Sequence, residues 1–423
     1  MMIRHILKQT VTCRRLNSWI LLELAGVAFF LFLMTDFFWI RLKNYTEPTG
    51  FDIENTYVLK FKTLHPTAPD YADPGQSART PAEDLFRIID RIKLNPEIEH
   101  VSLSLHSSPY SMGGYWNSLR IDSARTPSIR CRQVTPSWFD VFRIRTADGK
   151  PLKIEETGYK QVILTKDVAE LLCGDAAGAN GREIHTDNDP EDPDRTARVT
   201  GVTGLLKRQE FFPYEGAYFE ILPPSGFEQW MATNGNITQI DVCIRARPGS
   251  GPGFRDRFLS GMGDRLKENN LYVSSLIPSS RLRDGVVGKD IRENILPMTC
   301  VSAFVLVTVF LGVFASFQLR IRQRRSEIGI RMAMGAGKNR IRSHIVQESL
   351  LLMALATVPA FIAYLNMLHA GILDVWRLPL SAGRIAVTFA GAVVLLSAVV
   401  AGSALWPAGR AASIHPAEAL KEE

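Results

Sequence analysis

Four stretches of the chain are apolar at nearly every position: residues 19–40, about 295–317, about 345–368 and 385–406. Each is roughly 22 residues long, enough at about 1.5 Å per residue to cross a hydrocarbon layer of about 30 Å as a helix. The first reads as a signal anchor and not a cleaved signal peptide. Its apolar run outlasts a typical h-region and leads into Phe37, Phe38, Trp39, Ile40 and Arg41 with no small-residue cleavage site.

Between the first and second stretches the pattern shortens to strand and helix periods. Residues 56–62 alternate as a strand, and 81–94 read as a helix with Leu85, Ile88, Ile89 and Ile92 on one face. Residues 101–105 and 118–121 alternate again, a strand, helix, strand, strand order that suits small split βαβ units. Further on, 161–165 predict a strand leading into a helix over 166–172. Residues 197–202 and 238–244 predict strands, and 254–268 a helix. The polar, Asp- and Pro-rich run 180–195 reads as a loop tip. The fold class expected is an α-helical membrane protein with four transmembrane helices, one plus three, and a large extracytoplasmic α/β (α+β) domain.

Composition averages these parts together: 423 residues, 22% charged, mean hydropathy +0.01. The spans exclude a simple soluble enzyme, and the apolar and aromatic content excludes a largely disordered chain. The net charge of +6 is local. Between the second and third stretches eight basic residues (Arg320, Arg322, Arg324, Arg325, Arg331, Lys338, Arg340, Arg342) face the single acid Glu327. Short cationic loops are retained in the cytoplasm. Arg4, Lys8, Arg14 and Arg15 put the N-terminus on the same side, which agrees with two intervening spans. About 250 residues between those spans are then outside, and the C-terminal tail returns to the cytoplasm. The inside-positive rule and anionic headgroups account for the basic loop without nucleic acid.

Candidate chemistry in the outer domain is sparse. His65, His100, His106 and His185 have no metal-ligand spacing, and neither G-x-S-x-G nor H-E-x-x-H occurs. Binding is the expected job. Cys131, Cys173 and Cys243 could supply one disulfide in an oxidising compartment, and sequence does not choose the pair. Glu23, Asp36 and Glu348 lie near span ends, where snorkelling or capping is the expectation and not a proton relay.

The most informative segment is Arg-Ser-Glu-Ile-Gly-Ile-Arg-Met-Ala-Met-Gly-Ala at 325–336. A short amphipathic helix is predicted over 326–334, with Glu327 and Arg331 paired at i,i+4 and Gly335 and Gly337 ending it. Such a helix is either an interfacial anchor, with Arg324 and Arg325 on headgroups and Ile328, Ile330 and Met332 in lipid, or a peg for a cytoplasmic groove.

This run resembles the coupling-helix signature of the FtsX-like permeases of ABC transporters, the group that includes the MacB and lipoprotein-release permeases. The tail at 407–420, with its Pro-x-Glu-Ala-Leu ending, is similar to the family's closing motif. The runs at 134–142, 161–172 and 199–202 are similar to elements of the MacB-type periplasmic core domain. The resemblance implies a cytoplasmic amphipathic N-terminus over 1–18, a transmembrane helix over 19–41 and a periplasmic core domain over 42–294. An FtsX-like domain follows over 295–423, with helices about 295–317, 345–368 and 385–406 and a cytoplasmic coupling loop at 318–344. It places the chain in a bacterial inner membrane, multi-pass, with both termini cytoplasmic.

The resemblance further implies a non-catalytic permease subunit that docks a cytoplasmic ABC ATPase through Arg325, Glu327, Ile328, Gly329, Ile330, Arg331, Met332, Ala333, Met334 and Gly335. No G-x-x-x-x-G-K-[ST] phosphate loop occurs, and only about eighteen residues precede the first span. The motor is therefore expected in another chain: no cofactor here, ATP and magnesium in the partner ATPase. Further partners implied are a second permease chain, identical or not, membrane lipid, and a periplasmic adaptor or outer-membrane factor. The mechanism implied is mechanotransmission, for export or release of a periplasmic or membrane substrate. The alternative is an FtsX-like signalling or scaffold protein activating a periplasmic partner such as a cell-wall hydrolase.

Overall fold

The protein is described by a computed structural model over residues 14–73, 79–111, 113–154, 160–186, 196–234, 237–251 and 253–411. The N-terminal segment through residue 13, the end of the polar run at 180–195 and most of the closing motif lie outside the described residues. Two units form: Met1–Asn44 with Ile291–Glu423, and Tyr45–Asp290.

The second unit is built on a mixed sheet. Its elements in chain order are β1 Thr56–Thr63, α2 Pro81–Lys93 (α1 belongs to the other unit), β2 Ile98–Leu105, β3 Tyr115–Asn117, β4 Leu119–Ile121, β5 Ala124–Arg125 and β6 Ile129–Val134. There follow α3 Trp138–Val141, β7 Gln161–Thr165, α4 Lys166–Cys173, β8 Glu183–Thr186, β9 Thr196–Thr203 and β10 Ala217–Ile221. The unit closes with α5 Pro224–Asn234, β11 Ile240–Ala246, α6 Phe254–Met262, β12 Lys267–Glu268, β13 Leu271–Pro278 and α7 Ser279–Asp290. Strand order is β12-β13-β1-β11-β2-β6-β10-β7-β9-β8-β4-β5, with β3 also on β6.

The strand, helix, strand order at the start makes a split βαβ unit. β1 and β2 both pair antiparallel with β11, which lies between them, so they run parallel and α2 is their crossover. Helix α2 starts where its chemistry dictates. The Thr80 side chain accepts from Glu83 N–H, the Glu83 carboxylate accepts from Thr80 N–H, and Pro81 occupies the first turn. Leu85, Ile88, Ile89 and Ile92, all fully buried, meet Leu103, Leu105, Val242 and Ile244 from the sheet.

Ser104↔Val134 and Leu105↔Gln133 pair β2 with β6 in the second half of the sheet, and Thr135 N–H donates to Leu103 O beside them. That half has its own core, in which Val168, Ala169 and Leu172 of α4 pack on Val162, Leu164, Val199 and Tyr218. Helix α4 ends at Gly174, whose φ of +83° is the left-handed cap a side chain would resist. A third cluster gathers Trp138, Phe139 and Phe142 around Phe219 and Val134.

Three expectations change. The helix expected over 254–268 stops at Met262, because Gly263 turns the chain and residues 267–268 are drawn into β12. Residues 183–186, expected in a loop tip, form β8 and pair with β9. Among the described residues no disulfide forms: Cys131, Cys173 and Cys243 are free thiols. Burial pushes the Cys131 and Cys243 thiols well above the ordinary range, which leaves them unreactive.

The other unit is helical: α1 Arg14–Thr46, α8 Leu296–Gln323, α9 Arg325–Ala333, α10 Lys338–His369 and α11 Ala382–Ala411. Among the described residues, four helical segments are long and apolar enough to cross a membrane: Ser18–Thr46, Ser279–Gln323, Lys338–His369 and Ala382–Leu405. Ile20, Leu24, Val27 and Leu31 of α1 share one apolar core with a four-residue repeat on α11, Ala392, Leu396, Val400 and Ala404, and with Leu352, Ala356 and Ala360 of α10. Gly391 approaches α1 so closely that a Cβ there would lie 2.7 Å from Thr35 Cγ2. Outward apolar residues such as Phe304, Val307 and Leu311 stay uncovered, as a lipid-facing surface requires.

Glu268 makes the sheet edge pH-sensitive. Arg79 and Arg91 both donate to it, with Arg87 at 3.9 Å. Burial raises its pKa, but the hydrogen bonds and charges of Arg91 and Arg79 outweigh that and hold the carboxyl below 4.5. The stabilisation is therefore fully present above the ordinary carboxylate range and is lost as the pH falls through the lower folded value. Glu268→Gln is expected to lower the melting temperature near neutrality and to leave it almost unchanged in acid. An equal loss at both pH values, in thermal melts of the two proteins, would contradict this.

Candidate functional site

The basic loop folds as a short helix held between two long ones. Helix α8 breaks at Arg324, whose φ of −109° and ψ of 19° leave the helical region, and α9 begins at the next residue. Its end is a Schellman cap: Ala336 N–H donates to Arg331 O at 3.0 Å and Gly335 N–H to Met332 O at 2.9 Å. Gly335 has the φ of +92° this cap needs, and Gly337 then starts α10 in an extended conformation. The expected helix at 326–334 is thus α9 at Arg325–Ala333, with Met334 as its cap.

Alternating charges tie this segment down. Arg320 at the end of α8 donates to Glu348 of α10 at 2.5 Å, and Arg324 donates to the other oxygen of Glu348 at 2.8 Å. Arg324 also grips both oxygens of Glu327, Nε to Oε2 at 2.8 Å and Nη2 to Oε1 at 3.1 Å. Arg331 closes the row on Glu327 at 2.6 Å, the i,i+4 pair expected from the sequence. Burial pulls the Arg324 guanidinium down, but hydrogen bonds and charge from Glu327 and Glu348 raise it further, so its charge is permanent. Side-chain exposure grades along the row, from 5% at Glu348 through 21% at Arg324 to 37% at Glu327.

The expectation for the span acids gives way here. Glu348 is buried in two ion pairs and neither snorkels nor caps. Asp36 on α1 is buried against Arg384 of α11, with Arg384 Nη2 at 2.6 Å and Nε at 2.8 Å, and accepts from Tyr364 at 3.1 Å. Glu23 accepts from Ser316 at 2.7 Å. In an apolar bundle a carboxylate without such partners would be costly, so each marks a fixed helix contact. Sequence spacing could not pair Arg320 with Glu348 or Asp36 with Arg384, which are 28 and 348 residues apart.

The expected site residues divide by face. Glu327, Ile328, Arg331, Met334 and Gly335 line a cavity with α8 and α10. Gly329 is buried, and Met332 is half-buried. Ser326, Ile330 and Ala333 are exposed at i, i+4 and i+7, a stripe with Ile330 50% exposed, and Met334, 76% exposed, stands at the rim of the cavity. Arg324, expected on headgroups, is instead the centre of the ion row. The structure places Arg325 at the first turn of α9 and Gly335 in its cap.

Fold and site together define a multi-pass membrane protein with a large α/β domain and a charged helical hairpin between two spans. Residues 31–252 match the family described as the MacB-like periplasmic core domain, and residues 299–416 the FtsX-like permease C-terminal domain. The chain belongs to this FtsX/MacB-type permease family of ABC transporters. It is 24% identical over 231 residues to the lipoprotein-releasing system transmembrane protein LolC of Haemophilus influenzae, covering 52% of this chain and 56% of that one. Over 333 residues it is 24% identical to the macrolide export ATP-binding/permease protein MacB of Chromobacterium violaceum, covering 73% of this chain and 47% of that one. The chain thus spans about half the length of the curated relatives it matches. Among solved structures, the periplasmic region of MacB from Actinobacillus actinomycetemcomitans aligns with a TM-score of 0.34 and 12% identity, over 58% of this chain and 97% of that one.

Removing one partner of a buried ion pair strands the other charge. Glu348→Ala is expected to cost about 3–5 kcal/mol, while Arg331→Ala, breaking a half-exposed pair, stays within about 1 kcal/mol. Thermal unfolding of the detergent-solubilised chain measures both; similar small losses would show that the row does not hold the segment.

Proposed function

We propose that the chain is the permease subunit of an ABC transporter and that α9 is its coupling helix, seated in a cleft of a separate cytoplasmic ATPase subunit. The observation that carries this reading is the division of α9 into two faces. Glu327 on its inner face is bound through Arg324, at the break before it, to Glu348 of α10, and its outer face presents Ser326, Ile330 and Ala333, followed by the exposed Met334, with no cover among the described residues. An apolar stripe on a helix held by its other side is suited to a groove.

ATP and magnesium belong to the partner. Two permease chains, identical or different, present two docking helices to two ATPase subunits. Basic residues around α9 keep the hairpin and both termini in the cytoplasm of a bacterial inner membrane, with the domain between the first two spans in the periplasm. Closure of the ATPase pair displaces α9, and the ion row passes that displacement to α8 and α10. The spans at either end of the outer domain carry it outward, so the substrate is pushed in the periplasm. LolC is named for lipoprotein release and MacB for macrolide export. The substrate here is of that periplasmic or membrane-derived kind, and a periplasmic adaptor or outer-membrane factor would receive it.

Affinity purification of the intact chain from membranes is expected to recover a P-loop ATPase. Ile330→Asp with Met334→Asp, and separately Glu327→Arg or Gly329→Pro, should abolish recovery, the first pair without loss of thermal stability because both positions are exposed. Unchanged recovery in all of them would reject the docking role. Recovery of a periplasmic hydrolase with no ATPase would favour a scaffold.

A further inference from the structure

The inner side of α9 walls a cavity of about 600 Å³ with the adjoining ends of α8 and α10. We propose that this cavity holds the phosphate headgroup and upper acyl chain of one anionic phospholipid. The proposal rests on the reading of α9 as a docking helix only in that the lipid then supports the helix from behind.

Charge and apolarity are both written into the walls. Four arginines and two glutamates line the cavity, a net charge of +2. The glutamates are engaged by Arg320, Arg324 and Arg331 in the ion row. Arg340 also lines the cavity and makes no ion pair among the described residues. Beside it, His344 presents a buried Nε2 with no hydrogen-bond partner there. A phosphodiester would accept from Arg340 and, once the ring turns its buried Nε2 to the cavity, from His344 as an N–H tautomer.

A small inorganic anion would satisfy these donors but leave Phe317, Ile321 and Ile345, which also line the cavity, against water. An acyl chain covers them. Both long walls are membrane-spanning helices, so the cavity lies where a lipid can enter it laterally, and basic pockets between helices on the cytoplasmic side are suited to anionic headgroups. Occupied, it would make the stiffness of α9, and hence ATP-driven coupling, depend on anionic lipid.

The test is lipid retention by the full-length chain, purified in detergent from bilayers of equal phosphatidylglycerol and phosphatidylcholine and washed at high salt to screen surface attraction. Bound phosphatidylglycerol is expected to exceed phosphatidylcholine. Arg340→Gln should reduce it about fivefold, the factor one arginine near the headgroups contributes, and Arg340→Lys should largely preserve it. Arg322→Gln, an exposed arginine outside the cavity, should leave it unchanged. Equal retention of the two lipids, an equal loss in Arg322→Gln, or displacement by glycerol phosphate as effectively as by lipid would overturn the proposal. No ATPase is present in this assay, so its failure leaves the docking experiment standing, and failed docking leaves this result standing.

Discussion

The ion row from Arg320 through Glu348, Arg324 and Glu327 to Arg331 is the constraint on which the helical unit's function depends. Helix α9 has nine residues, too few to persist in water on propensity alone. It is tied from outside through Arg324, which pairs with Glu327 of α9 and with Glu348 of α10. Because Arg324, at the break between α8 and α9, holds both Glu327 of α9 and Glu348 of α10, a shift of Glu327 stretches contacts at the one residue that joins the three helices. A displaced α9 therefore displaces its neighbours, which is the property a coupling element needs.

The same economy recurs at Asp36. There a bidentate arginine, a tyrosine and a threonine surround one carboxylate within the spans, joining α1 to α10 and α11. In an apolar medium such a group has only its protein partners, so it selects one register of three helices over all others. The apolar contacts of the bundle, built from alanine, leucine and valine repeats, are individually less selective.

The outer domain is organised differently. Two cores form on two halves of one sheet, and a short β2–β6 pairing joins the halves. Each half has its own helical cover, α2, α5 and α6 on one and α4 on the other. The buried thiols act as small apolar side chains, Cys131 in the core under α4 and Cys243 in the cluster around Trp138 and Phe219.

Sequence by itself determined whatever depends on neighbours along the chain. The spans followed from uninterrupted apolarity, α2 from its capping box and its Leu85–Ile92 face, and α9 from one i,i+4 ion pair and a terminal glycine. The hairpin's charge, read against the lipid bilayer, was equally legible. Tertiary structure alone decided what depends on partners distant in sequence: β11 inserted between β1 and β2, residues 183–186 recruited as a strand, and 267–268 taken from an expected helix to pair with β13. It also decided the partners of Glu348, Asp36 and Glu23. A strand's backbone groups and a buried carboxylate share one requirement, a hydrogen-bond partner in place of water. Local sequence records that requirement, but only the folded chain supplies the partner.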